Sequence, residues 1–343
     1  MTAIPIQNIF YLLSYSWDLL EEAEELAVET EDLPQVADLL ARLLINGTQR
    51  LLRRGIDRGY LAQTEVLSTL RGRVDFGAST RRLLLEQGKA QCDFEEFLPD
   101  LLHNRILKST IQSLSKAEGL VLQQRMDLRN LLRKMEGISS LQLRKAHFTE
   151  VRLHRNNAHY RLLMHLCELV YDNLLVNEQT GQRIFRDFLR DERQMARLFE
   201  RFVANFYRKE TEWKVSPQEQ IPWDTSTPSD LLPEMNADAV LWSSGRALVV
   251  ECKFYHETLQ PGRMSVKPKL RSQHLYQVTA YVENLRRCLP ADCELEGILI
   301  YPAVNTCIQE DLMLSGKQMK VRTLELNAPW EQVSDQLLEI VRR

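Results

Sequence analysis

The chain has 343 residues, 44% hydrophobic and 27% charged, with a formal net charge of −3. That is the composition of a soluble globular protein with room for two cores, and its longest apolar runs fall far short of a bilayer span. No basic segment followed by an apolar one opens it, and its six cysteines are scattered without a Cys-x-x-Cys pair, so a cytoplasmic protein without a structural zinc site or disulfide framework is expected.

Charge is unevenly spread. Met1 to Ala41 holds no Lys or Arg, and then Arg42, Arg50, Arg53, Arg54 and Arg58 follow. An acidic start beside a basic stretch suits a partner surface, or only a solvated helix face. Apolar spacing over 6–26 predicts one amphipathic helix, and 32–55 a second that stops at Gly55. Short alternating runs in 59–80, with Gly59, Gly72 and Gly77, predict strands, RGRVDF (71–76) among them. Helix returns from about 99 to 135, and a polar connector over 137–155 marks the expected domain boundary. Helices follow at 158–176 and 190–210, then strands at 213–223, 235–244 and 246–255. A helix at 272–289, strands at 295–304 and 320–327, and a closing helix from Trp330 complete an α/β pattern around one mixed sheet.

The stretch RALVVECKFY (246–255) is an aliphatic strand that ends in Glu251 and Lys253. Residues two apart on a strand share a face, so these two point together while Val250, Cys252 and Phe254 point the other way. Asp238 precedes Glu251 by enough chain for two strands joined at 243–246, which would set the two carboxylates side by side. Converging carboxylates repel unless protonated or bridged by a cation. Mg²⁺ binds through one or two carboxylates plus waters and phosphate oxygens. Lys253 would then orient or help deprotonate a water attacking a phosphodiester. The competing reading is a surface ion pair where the strand reaches solvent. On the next helix Gln273, Gln277 and Tyr281 share a stripe that could support the site or merely face solvent. Glu200 in the 190–210 helix is a further candidate for the cluster.

Other chemistries find little support. The seven histidines show no metal-ligand spacing, and His256 and His274 read as loop and helix surface. Neither a Gly-x-Ser-x-Gly elbow nor a phosphate-loop motif is present. Arg263, Lys267, Lys269 and Arg271 could grip phosphates or form a solvated loop. In the first half, Arg53, Arg54, Arg71 and Arg73 could reach an acidic partner or a nucleotide bound in trans.

Asp238, Glu251-Cys252-Lys253 and Gln277-Val278-Thr279-Ala280-Tyr281 resemble the PD-(D/E)XK nuclease pattern with the Gln-x-x-x-Tyr motif of its RecB-like branch. Pro233 departs from it by standing five residues before Asp238. IPIQNIFYLLSYSWDLL (4–20), LRGRVDF (70–76), HNRILKSTI (103–111), LFERF (198–202) and SQHLYQVTAYV (272–282) are similar, nearly end to end, to the McrC family. This is the nuclease subunit of the McrBC modified-cytosine-dependent restriction system. The resemblance implies an α+β domain over 1–155 that docks on, and stimulates, a hexameric McrB-like AAA+ GTPase. It further implies a PD-(D/E)XK endonuclease domain over 156–343 that cleaves double-stranded DNA, the modified cytosine being read by the partner. Asp238, Glu251 and the Cys252 carbonyl would bind Mg²⁺, Glu200 being a further candidate, with Lys253, Gln277 and Tyr281 completing the site. Two other readings stay open: a stand-alone nuclease in repair or phage defence, and a non-catalytic activator of the GTPase ring.

Overall fold

The helix expected over 6–26 is two helices, α1 (Ile6–Ser16) and α2 (Leu20–Glu24), because Asp18 adopts φ 56, a left-handed step that no α-helix passes through. α3 (Val36–Arg54) ends where expected, at Gly55 with φ 100. The computed structural model describes residues 4–26, 33–176, 183–186, 188–227, 229–255, 259–260, 268–303 and 307–342. Among them no helix is long and apolar enough to cross a membrane. The chain forms two units, one of Met1–Glu25, Glu29–Leu39 and Asp187–Arg343, the other of Leu26–Val28 and Leu40–Arg186.

In the 40–186 unit, β1 (Gly59–Leu67) and β2 (Arg73–Val74) flank β3 (Ala90–Leu98), both antiparallel to it. Only Arg73–Val74 of the expected RGRVDF strand is strand. Asp75 Oδ1 accepts from Ala78 N–H at 2.8 Å and so caps α4 (Phe76–Arg81), ending the strand there. Gly72, at φ 65, brings the backbone against Asp93 and Phe94 where no Cβ fits. The helices α5 (Leu102–Leu114), α6 (Leu122–Lys134), α7 (Lys145–Glu150) and α8 (Arg161–Asn173) follow. β4 (Ala117–Glu118), β5 (Leu174–Val176) and β6 (Arg183–Phe185) form a second small sheet in this unit. A buried polar network ties its parts together: Tyr160 donates to Asn104 Oδ1 at 2.7 Å, and Asn104 Nδ2 to Asp57 O at 2.8 Å.

The other unit follows the expected α/β pattern with one strand more. α9 (Glu192–Glu210) starts at Asp191, whose carboxylate accepts from Arg193 and Gln194 N–H. Then come β7 (Lys214–Ile221), β8 (Met235–Ser243), β9 (Arg246–Cys252), α10 (Ser272–Arg287), β10 (Glu294–Pro302), β11 (Gln309–Leu314), β12 (Lys317–Leu324) and α11 (Trp330–Val341). The sheet order is β11-β12-β10-β9-β8-β7, with β9, β10 and β12 parallel and the outer pairings antiparallel. Val249 packs with Val278, Tyr281 and Val282 of α10. Phe254 meets Phe199 of α9 edge-on at 6.0 Å. Cys252, the last residue of β9 and opposite in parity to Val249, lies near Tyr207 of α9, so α10 and α9 cover opposite faces of the sheet.

The division expected at 155 is corrected in two ways. Residues 156–186 belong with the 40–186 unit, and α1 belongs with the mixed sheet. Its partners show why. Tyr11 stacks on Trp330 at 4.2 Å, Tyr15 donates to Glu210 Oε1 at 2.7 Å, and Asn8 Nδ2 donates to both Leu326 O and Ala328 O at 2.7 Å.

Candidate active site

β8 and β9 pair from Ser243↔Arg246 to Ala239↔Val250, closed by a turn at Ser244–Gly245 where Gly245 has φ 71. One step further in that register sets Asp238 opposite Glu251, the juxtaposition the sequence spacing predicts. Every residue of β9 is buried, and Glu251 is only 1% exposed. A surface ion pair therefore does not describe the site. A buried carboxylate is unfavourable unless it is bonded or charge-compensated. Glu251 Oε1 accepts from Lys253 Nζ at 2.5 Å, whereas Oε2 accepts from no described residue. Asp238 Oδ2 accepts from Cys252 N–H at 2.8 Å. Lys253 N–H donates to Ile300 O at 2.9 Å. Because the peptide is planar and trans, the Cys252 carbonyl points the opposite way, toward the β8 side.

Burial pushes the Glu251 carboxyl up to about 7, Asp238 adds to the rise, and Lys253 opposes it. Asp238 is raised by burial too, against the Cys252 N–H bond, the Lys253 charge and a bond from Gln218. Glu200 of α9 lies in the same field: burial first and Asp238 second bring it to about 7, opposed by Lys253, Arg197 and Arg201. For Lys253 burial works against the ammonium, but Glu251, Asp238 and Glu200 outweigh it, so its pKa is raised. Lys253 is thus a fixed positive charge and hydrogen-bond donor, which suits orienting a water better than deprotonating one.

α10 supplies the second row. Gln277 Nε2 donates to Tyr281 OH at 2.8 Å, and Tyr281 is buried. Burial raises its hydroxyl pKa, the Gln277 bond lowers it, and the charges of Glu251, Lys253 and Asp238 act on it. Gln273 is exposed. The structure thus joins Asp238, Glu251, Cys252 and Lys253 by direct bonds or strand register, with Glu200 and Tyr281 within reach of their charges and Gln277 behind the tyrosine.

His274 is a correction. It is not helix surface: it is buried, bonded through Nδ1 to Tyr301 OH at 2.8 Å and stacked on Tyr255 at 5.2 Å. Arg271 lies over the Tyr255 ring at 4.7 Å. His256, Arg263 and Lys267 fall outside the described residues, and Lys269 pairs through its backbone with Gln260. Sequence reasoning also missed Gln218 on β7, whose Nε2 donates to Asp238 Oδ1 at 3.4 Å.

Among the described residues no three His, Cys, Asp or Glu side chains converge closely enough to hold a metal ion by themselves. Asp238 is turned to Cys252 N–H and Glu251 to Lys253. The donors present still fit a hard cation, which takes one or two carboxylates and fills its shell with water and phosphate oxygens. The fit rests on the unbonded, buried Glu251 Oε2 with a second carboxylate on the neighbouring strand.

A six-stranded mixed sheet flanked by helices, with an acid–lysine cluster at the end of two central strands, is consistent with an α/β nuclease-like domain. The chain belongs to the McrBC 5-methylcytosine restriction system component family, whose model matches residues 6–302. The type IV methyl-directed restriction enzyme EcoKMcrBC of Escherichia coli K12 is 33% identical over 342 residues, covering 98% of this chain and 97% of the relative. A solved half-complex from a tetradecameric assembly of Thermococcus gammatolerans McrB AAA+ hexamers with bound McrC also matches. It covers 99% of this chain and 77% of the matched chain, at TM-score 0.61 and 17% identity, a likeness of fold.

Proposed function

We propose that this chain is the DNA-cleaving subunit of a GTP-dependent restriction complex directed at modified cytosine, with a PD-(D/E)XK site. The observation that carries the reading is Glu251, a desolvated carboxylate with one oxygen unbonded, facing Asp238 and bonded to Lys253. Asp238, Glu251 and the Cys252 carbonyl would hold Mg²⁺, and Glu200, which feels the charges of Asp238 and Lys253, is a further candidate. Such an ion, when bound, would counter the charge of a phosphodiester and make a coordinated water more acidic. Lys253 Nζ would hold the attacking water or a phosphate oxygen by charge-assisted hydrogen bonds, kept in place by Glu251. Tyr281, fixed by Gln277, closes the site from the α10 side.

The 40–186 unit supports a partner-docking role. It exposes Tyr60, Leu70, Phe76 and Phe97 together with Arg53, Arg54, Arg71 and Arg73, a mixture that marks interaction surfaces. The partner fitting this reading is an AAA+ GTPase like the McrB of the archaeal assembly, carrying the motor and target reading. The test is cleavage of 5-methylcytosine DNA with Mg²⁺ and GTP, with and without that partner. Lys253→Ala should lower cleavage by on the order of 10²–10⁴-fold. Undiminished cleavage by this variant would overturn the catalytic assignment, and full cleavage without the GTPase would favour a stand-alone nuclease.

A further inference from the structure

Four non-glycine residues among those described take left-handed φ: Asp18 (56), Leu83 (51), Gln218 (49) and Ser315 (50). Three of them lie between elements, where such a step ends a helix or makes a turn. Gln218 lies inside strand β7. A left-handed step is unfavourable for a residue with a Cβ, and inside a strand it interrupts the ladder. The interruption has a definite address. β7 pairs with β8 at Pro217↔Ala239 and again at Glu219↔Ala237, and the step omitted between them is the one that sets Gln218 opposite Asp238. Pro217 does not account for it, since a proline fixes its own φ and restricts the residue before it, not the one after. A glycine or asparagine would take this conformation with less strain, yet the position holds a long carboxamide. That side chain reaches the candidate metal ligand, with Gln218 Nε2 at 3.4 Å from Asp238 Oδ1.

We infer that Gln218 is a positioning residue, and that the left-handed step in β7 aims its carboxamide at Asp238 so that this carboxylate is presented to the metal. The inference rests on the proposed metal site. Asp238 is then held from two strands, Oδ2 by the Cys252 N–H of β9 and Oδ1 by the Gln218 amide of β7. Each oxygen keeps a lone pair for a cation. A neutral donor suits the place, because a lysine or arginine there would compete with the ion for the same carboxylate. Outer partners of this kind orient metal ligands, and their removal weakens metal affinity by roughly 10–100-fold. The long Gln218 contact points to the lower end of that range.

Two substitutions in the full chain separate the amide from the backbone. Gln218→Gly removes the amide and suits the left-handed step, while Gln218→Ala removes the amide and keeps the strain. Mn²⁺ binding by titration calorimetry and the Mg²⁺ dependence of cleavage with the GTPase partner are the readouts. Both variants should bind Mn²⁺ about 10-fold more weakly. Both should need correspondingly more Mg²⁺ for half-maximal cleavage, with the rate at saturating Mg²⁺ largely kept. Gln218→Gly should also melt no lower than the unsubstituted chain. Unchanged metal dependence in Gln218→Gly, or a defect confined to Gln218→Ala, overturns the inference and leaves the site reading standing. If Lys253→Ala cleaves normally and the unsubstituted chain binds no Mn²⁺, the site reading itself falls, and this inference with it.

Discussion

His274 shows how much a single side chain depends on neighbours far along the chain. The spacing of 272–289 sets His274 on the buried stripe of Val278, Val282 and Leu285, but its hydrogen-bond partner Tyr301 is 27 residues away. The same holds for Gln218, since a backbone angle leaves no mark in composition. The acids and lysine were legible because they form a short pattern at a strand end, where period-two alternation fixes who faces whom. His274 carries a pH prediction. Burial first, then the positive charges of Lys253 and Arg271, lower its pKa from 6.5 to about 4, with Tyr255 and Tyr301 as its other neighbours. The folded state therefore prefers the neutral ring. Its contribution to stability is complete above about pH 6.5 and is lost as pH falls toward 4. The raised carboxyls of Glu200 and Glu251 act in the opposite sense over the same window, so the readout is a difference between chains: from pH 6.5 to 4 the urea midpoint of His274→Gln should lose less than that of the unsubstituted chain. An identical pH dependence in the variant would show that His274 binds protons alike in the folded and unfolded chain and is not held neutral.

At the scale of elements, the site depends on how closely α10 lies on the sheet. Gly297 of β10 sits beneath that helix, where an added Cβ would overlap Met319 Sδ and come within 2.6 Å of Val278 Cγ1 and 3.0 Å of Val282 Cγ2. Overpacking of this kind costs about 1–3 kcal/mol. Gly297→Ala should lower the urea unfolding free energy by about that much. It should also slow cleavage, because Gln277 and Tyr281 ride on the displaced helix. A stable variant with unaltered cleavage would mean that α10 has slack to absorb a methyl group. The elements best read from sequence are those with strong local patterns, such as β9 and α9. Missed were β3, whose acidic residues hide a strand defined by its register with β1, and β11, held by its pairing with β12. Pairing partners remote in sequence decide such strands, and local propensity does not.

For the whole molecule, the boundary at 155 failed because a helix that looks like the start of one unit completes the other. α1 buries Ile9, Phe10, Leu12, Leu13 and Tyr15. At roughly 1.5–3 kcal/mol per large side chain, that burial is on the order of 10 kcal/mol, as large as the net stability of a typical domain. A fragment of residues 187–343 should therefore lack a cooperative urea transition. The chain in which a flexible linker replaces 40–186 should regain one. A sharp transition in the shorter fragment would show that α1 is dispensable.

The bonds from Asn8 to Leu326 and Ala328, and the stacking of Tyr11 on Trp330, have a consequence in time. During synthesis the first helix emerges some three hundred residues before the carbonyls and the indole that receive it. Until residues 326–330 have been made, α1 can dock only on α9, through Tyr15 with Phe202, Phe206 and Glu210, and the contacts of Asn8 and Tyr11 that fasten it to the rest of the unit are missing. Closure of this unit is thus tied to the synthesis of residues 326–330, and a chain cut short before them lacks the contacts that fasten α1.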